Sequence, residues 1–396
     1  MRERTAARVL RAVARTGRVG RFFGPALAVR GMARSRDVRR VRAQLSRSDD
    51  DLEQARRTVY RGLWNSAAAA AGATVREIAD GFLELSRGAA VTIVRNNLVE
   101  LDNPVTLELA GDREVAAELL SRAGLRVADH ASFSLADPAP ALALLREHGR
   151  CVVKPAYGTG AGAGVTCDVR TVGELVRAAL SAVRHCPELV IERQLTGSEH
   201  RMLVLDGAVI GAVRRRPPSV VGDGRSRVTD LLLAENRRRL SASGAEGIFL
   251  LDLSLDACLA LRRQGLTPRS VPQTDVRVLV AGAVNAGAPA ECETEEPTPA
   301  LAAGAVAAAA ALGLRLASVE VVCEDPARGA DGCSGGLIEV NSTPGLTYHY
   351  LVRDRSAIEP VAATVLATLL DDRRPETPVS GLPGLSAPVR TPGDEP

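Results

Sequence analysis

Lysine is almost missing from this 396-residue chain, where Lys154 stands alone against 49 arginines. Aromatic residues are scarce too, at 3%. With the excess of alanine and glycine, this reads as composition bias in the coding DNA, so most arginines are expected on the solvated surface. Net charge is only +3, which argues neither for nor against nucleic acid, and no nucleic-acid partner is expected. The cysteines at 151, 167, 186, 258, 292, 323 and 333 form no CxxC pair and no ligand-like cluster. Scattered thiols of this kind fit a reducing compartment. No apolar run reaches membrane-spanning length without a charge, and "AVAAAAALGL" (305–314) is too short. The chain opens without a signal-peptide core, so the expected location is cytoplasmic. Nothing matches the P-loop pattern GxxxxGK[ST], and no Ser-His-Asp or Cys-His motif occurs.

What is present is enough hydrophobic residue, 46%, to build two or three lobes. Residues 1–48 form a basic arm, loosely structured or helical, with thirteen arginines before position 46 against Glu3 and Asp37. Its bland reading is a loosely docked helix pair. Its functional reading is contact with an acidic membrane surface, nucleic acid or an acidic partner. Residues 49–107 read as a small N-terminal α/β lobe: helical periodicity over 49–71, then short apolar runs broken by Gly and Arg. Residues 108–150 are a connecting region, with a helix after Asp112 closed by Gly124 and then a strand. "CVVKP" is a strand stopped by Pro155. "LVIERQL" and "MLVLDGAVIGAVRRR" are strands, the second turning at Asp206-Gly207. Helices are expected at "RVTDLLLAENRRRL" and "TPALAAGAVAAAAALGL", and strands at "LASVEVVCE" and "GLIEVNSTPG". The tail, 373–396, is expected to be disordered.

Three stretches carry chemistry. In "CVVKPAYGTGAGAGVT", Lys154 ends a strand just before a glycine-rich loop. Glycines let backbone N–H groups approach phosphate oxygens, and a lysine adds a compact cation. The lysine precedes the glycines, so this is not a Walker A loop. In "VIERQLTGSEHR", Glu192, Leu195 and Glu199 would offer an adenine-edge acceptor, an apolar shelf and a ribose acceptor along one groove. In "LIEVNSTPG", Glu339 and Asn341 are two apart on a strand and share a face. With Glu320 on a preceding strand they make an oxygen-only donor set suited to Mg2+. Taken singly, each is also what a flexible connector or a solvated surface looks like. Their order is what lifts them.

That order, Lys-Pro, glycine loop, "ERQLTGSEHR" and "EVNSTPGL", resembles the ATP-grasp superfamily of carboxylate–amine ligases. It is most similar to the ATP-grasp region of cyanophycin synthetase and of bifunctional glutathione synthetase. The block "RPPSVVGDG" followed by a helix at "RVTDLL" belongs to that branch, and the resemblance covers roughly residues 108–370. It implies an α/β (α+β) class with the ATP-grasp fold, a nucleotide held between two α+β lobes, residues 151–210 and 211–372. It implies ATP and Mg2+, with Mn2+ as the alternative ion. By resemblance, Lys154 would contact phosphates, beneath a loop carrying Gly158, Gly160, Gly162 and Gly164. Glu192, Arg193, Gln194 and Leu195 would hold adenine, and Glu199 the ribose. Glu320, Glu339 and Asn341 would hold metal. Arg201 and Arg215 would face the phosphates and the acyl phosphate, and "STPGLTYH" (342–349) would line the acceptor pocket.

Two departures stand out. A phosphate-contacting family lysine is replaced by Arg113, and the first metal carboxylate, commonly Asp, is Glu320. The implied activity is an ATP-dependent amino-acid or peptide ligase working on small-molecule carboxylate and amine substrates, with a homodimer as a candidate assembly. The alternative is a nucleotide-binding pseudo-ligase with a regulatory or scaffold role.

Overall fold

The computed structural model describes residues 3–16, 36–45, 49–158, 162–241, 245–282, 292–331, 335–354, 356, 358 and 360–372. Gly160, the 373–396 tail and the middle of the basic arm lie outside the described residues. Of the two forms expected of the basic arm, helix α1 (Glu3–Thr16) and helix α2 (Arg36–Leu45) take the helical one, and both are docked more firmly than expected. Ala6, Val9, Leu10 and Val13 form a helical stripe, and all are buried against Phe133, Leu175 and Ile191. Helix α2 buries Val38 and Val41 among Val228, Leu232 and Leu251. Its Asp37 meets Arg269 Nε at 2.9 Å, and its Arg40 meets Asp230 at 3.0 Å. The arginines sit on the outward faces while apolar positions complete two cores. Among the described residues, no helix is long and apolar enough to cross a membrane.

Helix α3 (Asp49–Ala71) leads into an antiparallel sheet, β1 (Thr74–Ala79), β2 (Phe82–Arg87) and β3 (Ala90–Arg95). The inward side of α3, with Tyr60 and Trp64, packs on Leu83 and Leu85 but equally on Leu203, Leu205 and Val365. This segment therefore shares its core with the C-terminal part of the chain. Trp64 Nε1 donates to Asn96 O at 2.8 Å, which satisfies its one buried polar atom. Helices α4 (Pro104–Gly111) and α5 (Arg113–Arg122) follow. Asp112 caps α5, its side chain accepting from the N–H groups of Glu114 and Val115.

The first large layer contains β4 (His130–Ser134), helix α6 (Ala139–His148), β5 (Cys151–Pro155), β6 (Thr166–Val169), helix α7 (Val172–Ala182) and β7 (Glu188–Arg193). Strand order is β4-β7-β5-β6. Because β4 pairs along β7, residues 130–148 belong to this lobe, and the boundary expected at 150 falls inside it. The second layer begins with β8 (Ser198–Leu205) and β9 (Ala208–Arg215). Asp206 and Gly207 turn this hairpin, both at positive φ, 48° and 77°, as a tight two-residue turn requires. There follow β10 (Ser219–Val221), α8 (Val228–Ser241), α9 (Leu255–Arg263), β11 (Arg277–Leu279), β12 (Cys292–Thr294), α10 (Pro299–Ala311), β13 (Leu316–Cys323), β14 (Gly336–Asn341) and α11 (Val361–Asp372).

Five of these strands form one sheet in the order β12-β9-β8-β13-β14. Strand β8 is thus its centre, not part of the glycine-loop lobe as the 151–210 division had it. One face, with Met202, Val204, Val319 and Val321, is covered by Leu301, Ala305 and Ala309 of α10. The other face is apolar at one end, where Leu203, Leu205 and Leu316 meet α3 and α11. Towards its other end it is charged.

Candidate active site

Strand register assembles the charged end. Arg201 on β8 stands directly opposite Glu320 on β13, and Glu320 directly opposite Glu339 on β14. Glu199 stands opposite Arg215 on β9. Side chains alternate along a strand, so Glu199, Arg201, Glu320, Glu339 and Asn341 share the face turned away from α10. Arg201 pairs with Glu320. Arg215 pairs with Glu199 and lies 2.8 Å from Glu320 Oε2. From the first turn of α5, Arg113 Nη2 reaches Glu339 Oε1 at 2.8 Å. Asn341 Nδ2 donates to Glu320 Oε1 at 3.2 Å. The guanidinium carbons of Arg201 and Arg215 lie 4.6 and 5.1 Å from the centre of the Tyr348 ring, close enough for cation–π attraction. Phe249 tilts against Tyr348 at 5.3 Å.

Burial pushes the Glu199 carboxyl up to about 7, against the pull of Arg215. Burial also opposes ionisation of Glu339, but Arg113 and Lys154 more than offset it and hold that carboxyl below its ordinary value. Arg215 is desolvated too, yet Glu199 and Glu320 hold it above the ordinary arginine value. Neighbouring His349 is pushed down to about 3 by burial, with Arg201 and Arg215 adding to the effect, so it contributes no positive charge.

The facing wall comes from the four-stranded sheet. Lys154, 6% exposed, pairs with Glu192 of β7. Its Nζ also lies 3.5 Å from Ile338 O. Ile338 has no register partner on β13, because β14 bulges between Glu339 and Leu337. Bulges re-aim groups next to functional sites, and here the lysine meets the second sheet at one. Between the walls lies a cavity of about 870 Å³, within the range of small-molecule sites.

Lys154, Arg113, Arg201, Arg215, Glu192, Arg193, Gln194, Leu195, Glu199, Glu320, Glu339 and Asn341 all line this cavity, with Gly158 and Gly162. Gly164 does not line it. A Cβ there would come within 2.8 Å of both Pro155 and His185, so close approach demands glycine. The N–H groups of Arg193 and Gln194 already bond Asp129 O and Arg150 O, at 2.8 and 2.9 Å. Any further backbone contact from these two falls to their carbonyls. From "STPGLTYH", Ser342, Thr343, Gly345, Thr347 and Tyr348 line the cavity. Sequence reasoning missed Arg56, Tyr60, Asn97 and Phe249, which also line it. The first two are four apart on α3, a helical spacing that signals a shared face but not what the face meets.

The crystal structure of a bifunctional glutathione synthetase from Pasteurella multocida matches this fold with a TM-score of 0.50 and 24% identity, over 76% of this chain and 42% of that one. The likeness is one of fold: the chain shares the fold of the matched part of that synthetase. No family model matches it. In sequence it is 27% identical to the cyanophycin synthetase of a Nostoc species over 246 residues, 61% of this chain and 27% of that protein. It is 29% identical over 276 residues to the bifunctional glutathione-biosynthesis protein GshAB of Enterococcus faecalis, covering 68% of this chain and 36% of that one. The chain thus spans between 27% and 36% of the length of these two curated relatives.

Proposed function

We propose that the chain is an ATP-dependent ligase joining a carboxylate to an amine through an acyl phosphate, giving an amide or peptide bond, ADP and phosphate. Its substrates are an amino acid or small peptide on each side. The observation that carries this reading is the charge arrangement in one cavity between two sheets. Lys154 on one wall and Arg113, Arg201 and Arg215 on the other converge on the same space. Such convergence suits a triphosphate and a transferring phosphoryl group.

In the first step a substrate carboxylate oxygen attacks the γ-phosphorus, and the bond to the bridging oxygen breaks to release ADP. In the second, an amine nitrogen adds to the acyl carbon, loses a proton, and phosphate departs. Lys154 would hold the α- and β-phosphates. Arg201 and Arg215, kept in place by Tyr348 and their carboxylate partners, would stabilise charge on the phosphoryl and acyl oxygens. Glu192 and Leu195 would hold adenine, and Glu199 a ribose hydroxyl. The glycine loop would exclude water from the acyl phosphate.

Two carboxylates, Glu320 and Glu339, and the Asn341 amide form a hard oxygen donor set on one sheet face. Among the described residues there is no cluster of three or more His, Cys, Asp or Glu that could hold a metal by themselves. A sparse set of this kind fits Mg2+, which keeps water and phosphate ligands of its own. Mg2+ bound there would neutralise charge on the phosphates. Mn2+ takes the same donors.

The test is a screen of amino-acid and dipeptide pairs for ADP release, with product mass as the readout. Substrate-dependent ADP release with a dehydrated product supports the ligase. Nucleotide binding without turnover for any pair would replace it with the pseudo-ligase reading.

A further inference from the structure

Beyond Tyr348 the cavity combines two segments that no motif marks with the marked stretch after β14. Arg56 and Tyr60 come from one side of α3, Asn97 follows β3, and Thr343, Gly345 and Thr347 come from the segment after β14. Tyr60 is 3% exposed. It is buried in one core cluster with Leu346, and its hydroxyl lies beside Gly345, which packs α3 against that segment. Asn97 Nδ2 donates to Thr343 O at 2.7 Å. The same segment presents Tyr348, on which Arg201 and Arg215 stack. The Arg56 side of α3 is therefore joined, through packed contacts, to the place where the phosphoryl chemistry is proposed.

Among the described residues, the cations of the cavity are matched by carboxylates with one exception. Arg113, Arg150, Lys154, Arg193, Arg201 and Arg215 each have a carboxylate partner, respectively Glu339, Asp168, Glu192, Asp129, Glu320 and Glu199. Arg56 lines the cavity and is exposed, and among the described residues it makes no ion pair or side-chain hydrogen bond. An amino acid that reacts through its amine still carries a carboxylate, and enclosing that charge is costly unless a cation meets it. A cation already matched inside the site would have to give up its partner first. Arg56 would not.

We propose that Arg56 anchors the unreacted carboxylate of the amine acceptor, which is an amino acid or short peptide with a free carboxyl end. The rings of Phe249 and Tyr348 tilt against each other in the lining of the same cavity and would take an apolar part of that substrate. Which group of the acceptor reacts rests on the ligase reading. That a free carboxylate binds at Arg56 does not.

The experiment uses the full chain and its Arg56→Gln and Arg56→Lys variants. A panel of amino acids and dipeptides is offered as free acids and as the matching carboxamides. Calorimetry with a non-hydrolysable ATP analogue reads binding, and ADP release reads turnover. Free acids are expected to bind, and their carboxamides to bind more weakly. Arg56→Gln should raise KM and Kd for the free acids by about ten- to a hundred-fold with kcat much less affected, the span expected for a charge-assisted hydrogen bond. It should erase the preference over carboxamides, and Arg56→Lys should restore part of it. Binding of free acids without ADP release, still lost in Arg56→Gln, supports the anchor and removes the ligase reading. Equal use of acids and carboxamides by the unaltered protein, indifference to Arg56→Gln, or no binding of any free acid overturns the proposal.

Discussion

Glu320 and Glu339 stand directly opposite each other on neighbouring strands, and Glu320 is fully buried. Like charges across a ladder destabilise it, and a buried carboxylate without a counter-charge costs more. The fold offsets this with Arg113 against Glu339 and with Arg201 and Arg215 against Glu320. A row of alternating charge results, running across the sheet where α10 does not cover it. Each carboxylate that we assign to metal is also a counter-ion for an arginine that we assign to phosphate. Loss of one should therefore disturb both groups.

Glu320→Gln would take a charged partner from both Arg201 and Arg215. Breaking a buried pair from one side costs about 3–5 kcal/mol, so urea unfolding should show a loss of that order together with lost turnover. Asn341→Ala removes a single hydrogen bond to the Glu320 carboxylate and should cost about 1.5–3 kcal/mol, less than loss of the ion pairs, while raising the Mg2+ concentration needed for half-maximal turnover. Equal stability losses in the two variants would contradict this division of roles.

Lys154→Arg is expected to lower kcat/KM for ATP by about a hundred-fold, the scale of losing one preorganised charge donor. Charge is kept, but the planar guanidinium is longer than an ammonium and less compact. The side chain of Lys154 is 8% exposed, that of Arg113 19%. Arginine is accommodated at the roomier helix end, and we expect it to fail at the tighter strand end. Near-normal kcat/KM in the variant would take Lys154 out of the phosphate site.

The contrast between these two positions also shows what a sequence exposes. Lys154, Glu192, Glu199, Glu339 and Asn341 were legible because each lies in a short strand, where a period of two fixes the face and motif order fixes the neighbours. The Asp206-Gly207 turn and the Asp112 cap were legible from residue chemistry alone. Pairing of β4 with β7 was not, since nothing local in "HASFS" names a partner some sixty residues on. Arg113 and Glu339 are 226 residues apart, and only the packing of α5 beside β14 joins them. Helix α1 is legible as a helix but not as a buried one: its arginine count points to loose docking, while the four-position stripe Ala6, Val9, Leu10 and Val13 is the pattern that marks the buried face.

The pH dependence of stability should report Glu199. Burial raises its carboxyl from 4.5 to about 7. A carboxyl that holds its proton more tightly folded than unfolded stabilises the fold below the unfolded value. That contribution disappears as pH rises through the folded value. Stability from this group should thus decline between about pH 5 and pH 8, and Glu199→Gln, which cannot ionise, should flatten the decline. Denaturation midpoints at several pH values in both proteins measure it. Parallel curves would assign the titration to another group.

The basic N-terminus offers the last test, because two readings of it diverge sharply. A spare arm would tolerate both truncation and apolar substitution. The structure instead puts Leu10 at 0% exposure beside Val9 and Ala6, in the core that supports β5 and β7. Leu10→Ala should therefore cost about 2–5 kcal/mol, the range for buried leucines. Removal of residues 1–16 should cost more and should loosen Lys154 and Glu192 as well. Arg8→Ala, on the exposed side of the same helix, should change stability by less than about 0.5 kcal/mol. Urea unfolding of the three proteins, with nucleotide affinity measured alongside, separates the readings. A Leu10→Ala protein as stable as the parent would return this helix to the status of an arm.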